Sequence, residues 1–181
     1  MASIIPTLRT DRLILRPIIG ADARSFFHNY QGEGVLRYLP NPLQPPLEKV
    51  ERFAASQQTH WDQYGYGNWG IELIGEPGLA GWAGLQFLPE TQETEVGYLL
   101  GRSYWGKGYA TEAAMASLQY GFEHFNFAEI IALVHPENAA SLRVAKKCGM
   151  AVIERKVYWG LELVRHRLLK DEWRSSQPKG E

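Results

Sequence analysis

The sequence predicts a mixed α/β fold: antiparallel strands first, then a central parallel pair joined through a helix, with further helices flanking the sheet. Two observations carry this. Apolar runs at 69–74, 79–88 and 95–100 follow one another through short polar connections, which is hairpin succession. The run 95–100 then leads through a helix-forming stretch into another apolar run, 130–135. A strand–helix–strand crossover makes its two strands parallel.

The elements follow in order. Residues 12–16, RLILR, read as a strand that Pro17 stops. Residues 21–30 read as a helix. Pro42, Pro45 and Pro46 make 41–46 a loop. Residues 47–61 read as a second helix, with Val50, Phe53, Ala54 and Trp61 near a three-to-four spacing. Gly75-Glu76-Pro77-Gly78 turns the first strand pair. Residues 108–124 form the crossover helix, and 139–148 a later helix that Gly149 ends. Strands at 150–158 and 162–170 close the sheet. A single domain over 1–173 is expected, with 174–181, RSSQPKGE, as a disordered tail.

Composition narrows the class. A chain of 181 residues with 45% hydrophobic content and six Trp can bury a substantial core as one domain. Net charge is −1, without a run of one sign, so the basic face that nucleic-acid binding needs is missing. A single cysteine excludes an internal disulfide and fits a reducing cytoplasm. The N-terminal MASIIPTLRTDR lacks the pattern of a signal peptide. No apolar run reaches the roughly 18 residues of a membrane span.

The richest stretch is 95–113, EVGYLLGRSYWGKGYATEA. A strand ends at Gly101, a loop carries Gly106, Lys107 and Gly108, and a helix begins. Unpaired N–H groups and the positive end of the helix dipole converge there, which suits a phosphate. Glycines admit the anion closely and Lys107 adds charge. Residues 101–108 nearly spell the nucleotide-triphosphate loop G-x-x-x-x-G-K-[ST]. Gly108 stands where the magnesium-holding hydroxyl belongs, so that reading is set aside.

From Trp105 the run WGKGYATEA resembles the pyrophosphate loop of the GNAT superfamily of N-acetyltransferases, pattern Q/R-x-x-G-x-G/A. Gly108 and Ala110 match its last two positions, and Trp105 replaces the Gln or Arg. That departure resembles the RimJ/RimL-like branch of ribosomal-protein N-acetyltransferases and their small-molecule relatives. LRTDRLILRP, GNWGIEL, ETEVGYLL and PENAASLRVAKKCGM resemble that branch in the same order, so the likeness covers nearly the whole chain. It implies acetyl transfer from acetyl-CoA, as co-substrate, to a primary amine. It also implies a bulged strand splayed from its parallel neighbour, with the pantetheine arm bonded to the backbone of Tyr98, Leu99 and Leu100. The pyrophosphate would lie on the loop from Trp105 and Gly106 through Lys107, Gly108 and Tyr109 to Ala110 and Thr111.

Amine attack on a thioester needs a neutral amine, a donor for the developing oxyanion and a proton near the departing sulfur. Glu95, which begins the thioester strand, is the first candidate for the base, directly or through water; a solvated strand-end carboxylate is the alternative. Glu93 lies close enough to be confused with it. Glu112, in the first helical turn, complements the helix dipole. Asn138 and Ser141 open the later helix as cap and first-turn residue. The resemblance puts Asn138 on the pantetheine and the Ser141 hydroxyl near sulfur. Many relatives place a Tyr acid four residues past this Ser, where Ala145 stands here, so Ser141 is the natural substitute. Arg143 or Lys146 could meet the 3′-phosphate of CoA, or simply decorate a solvated face. Cys148 is read as structural, without a paired His. His135 and His166 are read as structural too, and no metal site is expected.

The acceptor is the quiet part. An α-amine titrates at roughly 7.7–8.0 and a Lys near 10.4, so a modest base suits an N-terminus better. The first expectation is therefore a protein N-terminus, such as that of a ribosomal protein. A polyamine, amino acid or amino sugar is the alternative, and a non-catalytic acyl-CoA sensor is the alternative from another class. Tyr64, Tyr66, Asn68 and Trp69 could form an aromatic lip for the acceptor or pack in the core. A homodimer is left open, and neither nucleic acid nor membrane is expected as a partner.

Overall fold

The computed structural model describes residues 3–176. Strands β1 (Leu8–Arg9), β2 (Leu13–Pro17), β3 (Asn68–Leu73), β4 (Leu79–Leu88) and β5 (Glu93–Leu100) pair antiparallel in succession. Helices α1 (Ala23–Tyr30) and α2 (Leu47–Tyr64) are inserted between β2 and β3. Helix α3 (Tyr109–His124) then crosses over to β6 (Glu129–Val134), which runs parallel to β5. Helix α4 (Ala139–Lys147), β7 (Ala151–Tyr158), β8 (Leu161–Leu169) and α5 (Lys170–Ser176) complete the chain. The eight strands form one sheet in the order β1-β2-β3-β4-β5-β6-β8-β7. The expected architecture is what the molecule has.

Local sequence explains these elements. Leu13 and Leu15 alternate with Ile14 and Arg16 in β2 and are fully buried, each worth about 1.5–3 kcal/mol. Pro46 sets an extended entry to α2, and Gly65, at φ +77°, ends it in the left-handed region that glycine favours. The buried stripe of α2 is Val50, Ala54, Gln57 and Trp61.

Two short elements were not expected. β1 has only two residues and no period to read. In α5, Trp173 stacks on Phe122 at 5.3 Å, so a tertiary contact orders a stretch with the composition of a tail. The part of the expected tail at 177–181 lies outside the described residues.

The core has two parts. Val96 and Leu100 of β5 pack with Ala113, Leu118 and Phe122 of α3 and Ala145 of α4. Phe26 of α1 and Val50 and Ala54 of α2 pack with Ile18 and Leu79, flanked by Trp82. Adjacent strand residues face opposite ways. Val96 lies in the first cluster while Gly97 abuts the Trp82 ring, so the clusters occupy opposite faces. Glu95 shares the α1–α2 face with Gly97, and Tyr98 shares the α3–α4 face with Val96. Among the described residues no helix is long and apolar enough to cross a membrane.

Candidate active site

The site begins with a separation. β5 and β6 share one recorded bridge, Glu95 with Ile131, while β4–β5 and β6–β8 stay paired far beyond it. The two strands therefore part toward Leu100 and Val134 and open a wedge. The bulge implied for β5 is not the cause: its ladder with β4 runs residue for residue from Leu88–Glu93 to Gly81–Leu100. The divergence is carried by pairing on the outer sides of both strands, without an extra residue.

The connection between α1 and α2 spans the wedge. Asn29 donates to the Leu79 carbonyl at 2.8 Å and lies against Gly101. Gly32 lies against Arg102, just after β5, and the Tyr38 ring sits 5.0 Å from that of His135, just after β6. The same connection borders an open cleft of about 590 Å³ lined by Tyr30, Glu33, Leu36, Arg37 and Gln44.

At the mouth lies the glycine loop. Gly106 and Gly108 have φ of +75° and +86°, and the space beside a Cβ on Gly106 is open. The first bond of α3 runs from the Glu112 N–H to the Gly108 carbonyl. Among the described residues, the N–H groups of Gly106 through Thr111 have no recorded protein acceptor. Six successive free donors at a helix N-terminus, exposed through Gly108, fit a pyrophosphate. Trp105 does something the sequence did not show: its indole N–H donates to the Leu100 carbonyl at 2.8 Å and caps the end of β5. Arg102 lies over the indole at 4.6 Å and Arg12 contacts the loop carbonyl of Lys107; neither was singled out from sequence.

Glu95 sits at the apex of the wedge. Its Oε1 accepts the Leu133 N–H at 3.0 Å, where β6 has lost the β5 backbone as partner. Burial pushes its carboxyl up to about 7. The Leu133 hydrogen bond opposes that, and the charge of Glu93 adds to it. Glu93 itself is tied up: Arg165 donates to it at 2.6 Å and to Glu129 at 2.7 Å. The two acids lie on one face of β5 but differ in their partners: Glu93 is ion-paired, and among the described residues Glu95 has no ion pair.

On the opposite face, Asn138 Oδ1 accepts the Ser141 N–H at 3.1 Å, so the capping geometry is present. The Ser141 hydroxyl lies 2.7 Å from the Tyr98 hydroxyl. Sequence reasoning brought Ser141 and Tyr98 to the site separately but not to each other. Burial raises the Tyr98 phenol, with the Ser141 hydrogen bond opposing. Arg143 and Lys146 are exposed on α4, and no ion pair of either is recorded among the described residues.

The other candidates are packed into the fold. Burial lifts the Cys148 thiol to about 12, which keeps it protonated. His166 is buried, its Nδ1 3.1 Å from the Val164 carbonyl. The aromatic lip does not form from Tyr66, Asn68 and Trp69, which are buried; Trp69 packs edge-on against Trp61 at 4.9 Å.

A sheet with one open parallel pair, and a glycine loop at its mouth, makes a site for a phosphorylated ligand. Residues 12–151 match the family described as Acetyltransferase (GNAT) domain, and the chain belongs to that family. It is an acetyl-CoA-dependent N-acetyltransferase. The chain is 33% identical over 151 residues to the uncharacterized N-acetyltransferase YoaA of Bacillus subtilis (strain 168), covering 81% of this chain and 83% of that one. It is 27% identical over 142 residues to spermidine N(1)-acetyltransferase of Escherichia coli (strain K12), covering 76% and 72% respectively. The crystal structure of a GNAT-family acetyltransferase from Bacillus anthracis superposes with a TM-score of 0.80 at 26% identity, covering 92% of this chain and all of that one.

Proposed function

We propose that the protein acetylates a primary amine by direct attack on acetyl-CoA in a ternary complex, with the N-terminal α-amine of a protein as acceptor. The observation that carries this is Glu95, a carboxyl at the apex of the wedge that has no ion pair among the described residues and that burial lifts to about 7. The amine nitrogen attacks the thioester carbon and gives its proton to Glu95, directly or through water. The C–N bond forms as the C–S bond breaks. The departing sulfur takes a hydrogen bond from the Ser141 hydroxyl, which Tyr98 holds. Gly106 through Thr111 bind the pyrophosphate, with Lys107 adding charge. Tyr98, Leu99 and Leu100 present backbone to the pantetheine with Asn138, and Arg143 reaches the 3′-phosphate. Holding both reactants in line supplies on the order of 7–11 kcal/mol.

The acceptor follows from proton affinity and charge. A base near pH 7 almost matches an α-amine at roughly 7.7–8.0, whereas a Lys near 10.4 costs about 3 kcal/mol more to neutralise. The cleft beside the α1–α2 connection carries one acid, Glu33, and one base, Arg37, and Glu93 and Glu129 are taken by Arg165. That balance offers little to a polycation and more to a peptide end. The motif order supports the RimJ/RimL-like branch, and the lone, buried thiol fits a cytoplasmic site of action. Similarity to the spermidine acetyltransferase favours a small polyamine as the second reading.

The test is acetyl-CoA binding by calorimetry, then thiol release against N-terminal peptides, polyamines, amino acids and amino sugars. Release on peptides carries the proposal. Release on spermidine alone replaces the acceptor. Binding without release on any acceptor overturns the acceptor classes named here.

A further inference from the structure

The turn between β1 and β2 lies far in sequence from the glycine loop, yet one side chain joins them. The Arg12 Nη1 donates to the Lys107 carbonyl at 2.8 Å. Its Nε donates to Glu112 Oε2 at 2.7 Å, and its own backbone N–H to Glu112 Oε1 at 2.9 Å. Thr10 adds a hydroxyl to the same Oε1 at 2.6 Å. The guanidinium also covers the Tyr109 ring at 4.8 Å. The Ile74 N–H fixes the Arg12 carbonyl at 2.9 Å, so the clamp is anchored in the sheet.

We propose that Arg12 is a positioning residue for the pyrophosphate of acetyl-CoA, acting by holding the Lys107 carbonyl and neutralising Glu112. The proposal rests on the reading of Gly106 through Thr111 as the phosphate loop. Two physical facts support it. A peptide plane carries its N–H opposite its C=O. Anchoring the Lys107 carbonyl on Arg12 therefore turns the Gly108 N–H the other way, into the row of free donors. The second fact is charge. Glu112 stands in the first turn of the helix that would hold the anion, and it is ionised: hydrogen bonds from Thr10 and Arg12 outweigh burial and keep its carboxyl below the ordinary range. An unpaired carboxylate there would repel the pyrophosphate. Arg12, half exposed, cancels it without being consumed inside the loop. Gly108 fits the same arrangement, because a Cβ there would come within 3.2 Å of Arg12 Nη2.

The experiment compares acetyl-CoA with S-acetylpantetheine, which keeps the thioester arm but lacks the pyrophosphate. Arg12→Ala should raise the KM and Kd for acetyl-CoA about tenfold, while kcat/KM for S-acetylpantetheine moves less than twofold. Glu112→Gln on top of Arg12→Ala should tighten acetyl-CoA at least threefold again, since it removes the orphaned charge. Should Arg12→Ala not fold, Arg12→Lys retains the charge but not the fork, and a threefold loss restricted to acetyl-CoA is expected. Equal losses with both thioesters, or no loss with either, would overturn the clamp. A wild-type enzyme that does not prefer acetyl-CoA over S-acetylpantetheine would instead overturn the loop reading itself.

Discussion

Replacing Glu95 by Gln separates its chemistry from its place in the fold. The amide is nearly the same size and keeps an oxygen for the Leu133 N–H, which Glu95 now accepts at 3.0 Å. What is lost is the proton acceptor. A positioned base contributes roughly 10²–10⁴-fold, so turnover should fall on the order of 10²-fold while acetyl-CoA affinity stays within threefold. The wild-type kcat/KM should carry two rising limbs, one from the carboxyl at about 7 and one from the amine at roughly 7.7–8.0. In the variant only the limb of the amine itself should remain.

Stability should move the other way. Burial, the leading cause, lifts this carboxyl from 4.5 to about 7, so the folded state prefers its protonated form. Below pH 4.5 the group is protonated in both states, and Gln and Glu should fold alike. As pH rises through 7 the wild type gives up as much as about 3 kcal/mol relative to the variant, and above that the gap stays constant. Urea unfolding at pH 5 and pH 8 reads this directly. A variant with unchanged turnover across pH 6–9 would remove Glu95 from the mechanism. A variant less stable than wild type at pH 8 would refute the account of its burial.

Three further expectations follow from other contacts. Gly108→Val adds a branched side chain at φ +86° and beside Arg12, so acetyl-CoA binding measured by calorimetry should be lost in a variant that still melts cooperatively. Ser141→Ala and Tyr98→Phe should each lower turnover about tenfold, and the double variant should lose little more, because the two hydroxyls act as one pair 2.7 Å apart. Arg165→Leu strands Glu93 and leaves Glu129 only Arg167 at 3.8 Å, so stability should drop by about 3 kcal/mol in urea titrations. The unopposed Glu93 charge should also move the rising limb of the pH–rate profile above 7.

Much of this protein is legible in its sequence because much of it is local. Period and punctuation identify the strands and helices: Leu13 and Leu15 two apart in β2, Val50, Ala54 and Trp61 along α2, Gly149 at the end of α4, although α2 runs on past the expected Trp61 to Tyr64. The glycine loop is contiguous, so its row of donors follows from residues that adjoin one another. The family is legible for the same reason, since its motifs are short runs in a fixed order.

Contacts between distant residues were not legible, because no period or spacing encodes which side chains a fold brings together. β1 is too short to show alternation, and α5 depends on Trp173 meeting Phe122. The sequence placed Glu93 and Glu95 side by side. Only the fold pairs one with Arg165 and leaves the other at the apex of the wedge. The same is true of Tyr98 on Ser141, of Trp105 on the Leu100 carbonyl, and of Arg12 on the glycine loop. The sequence determined the elements, the loop and the class of reaction. Tertiary structure decided the ionisation of the candidate base and the partners of each polar group, since both depend on burial and on charges brought near from far along the chain.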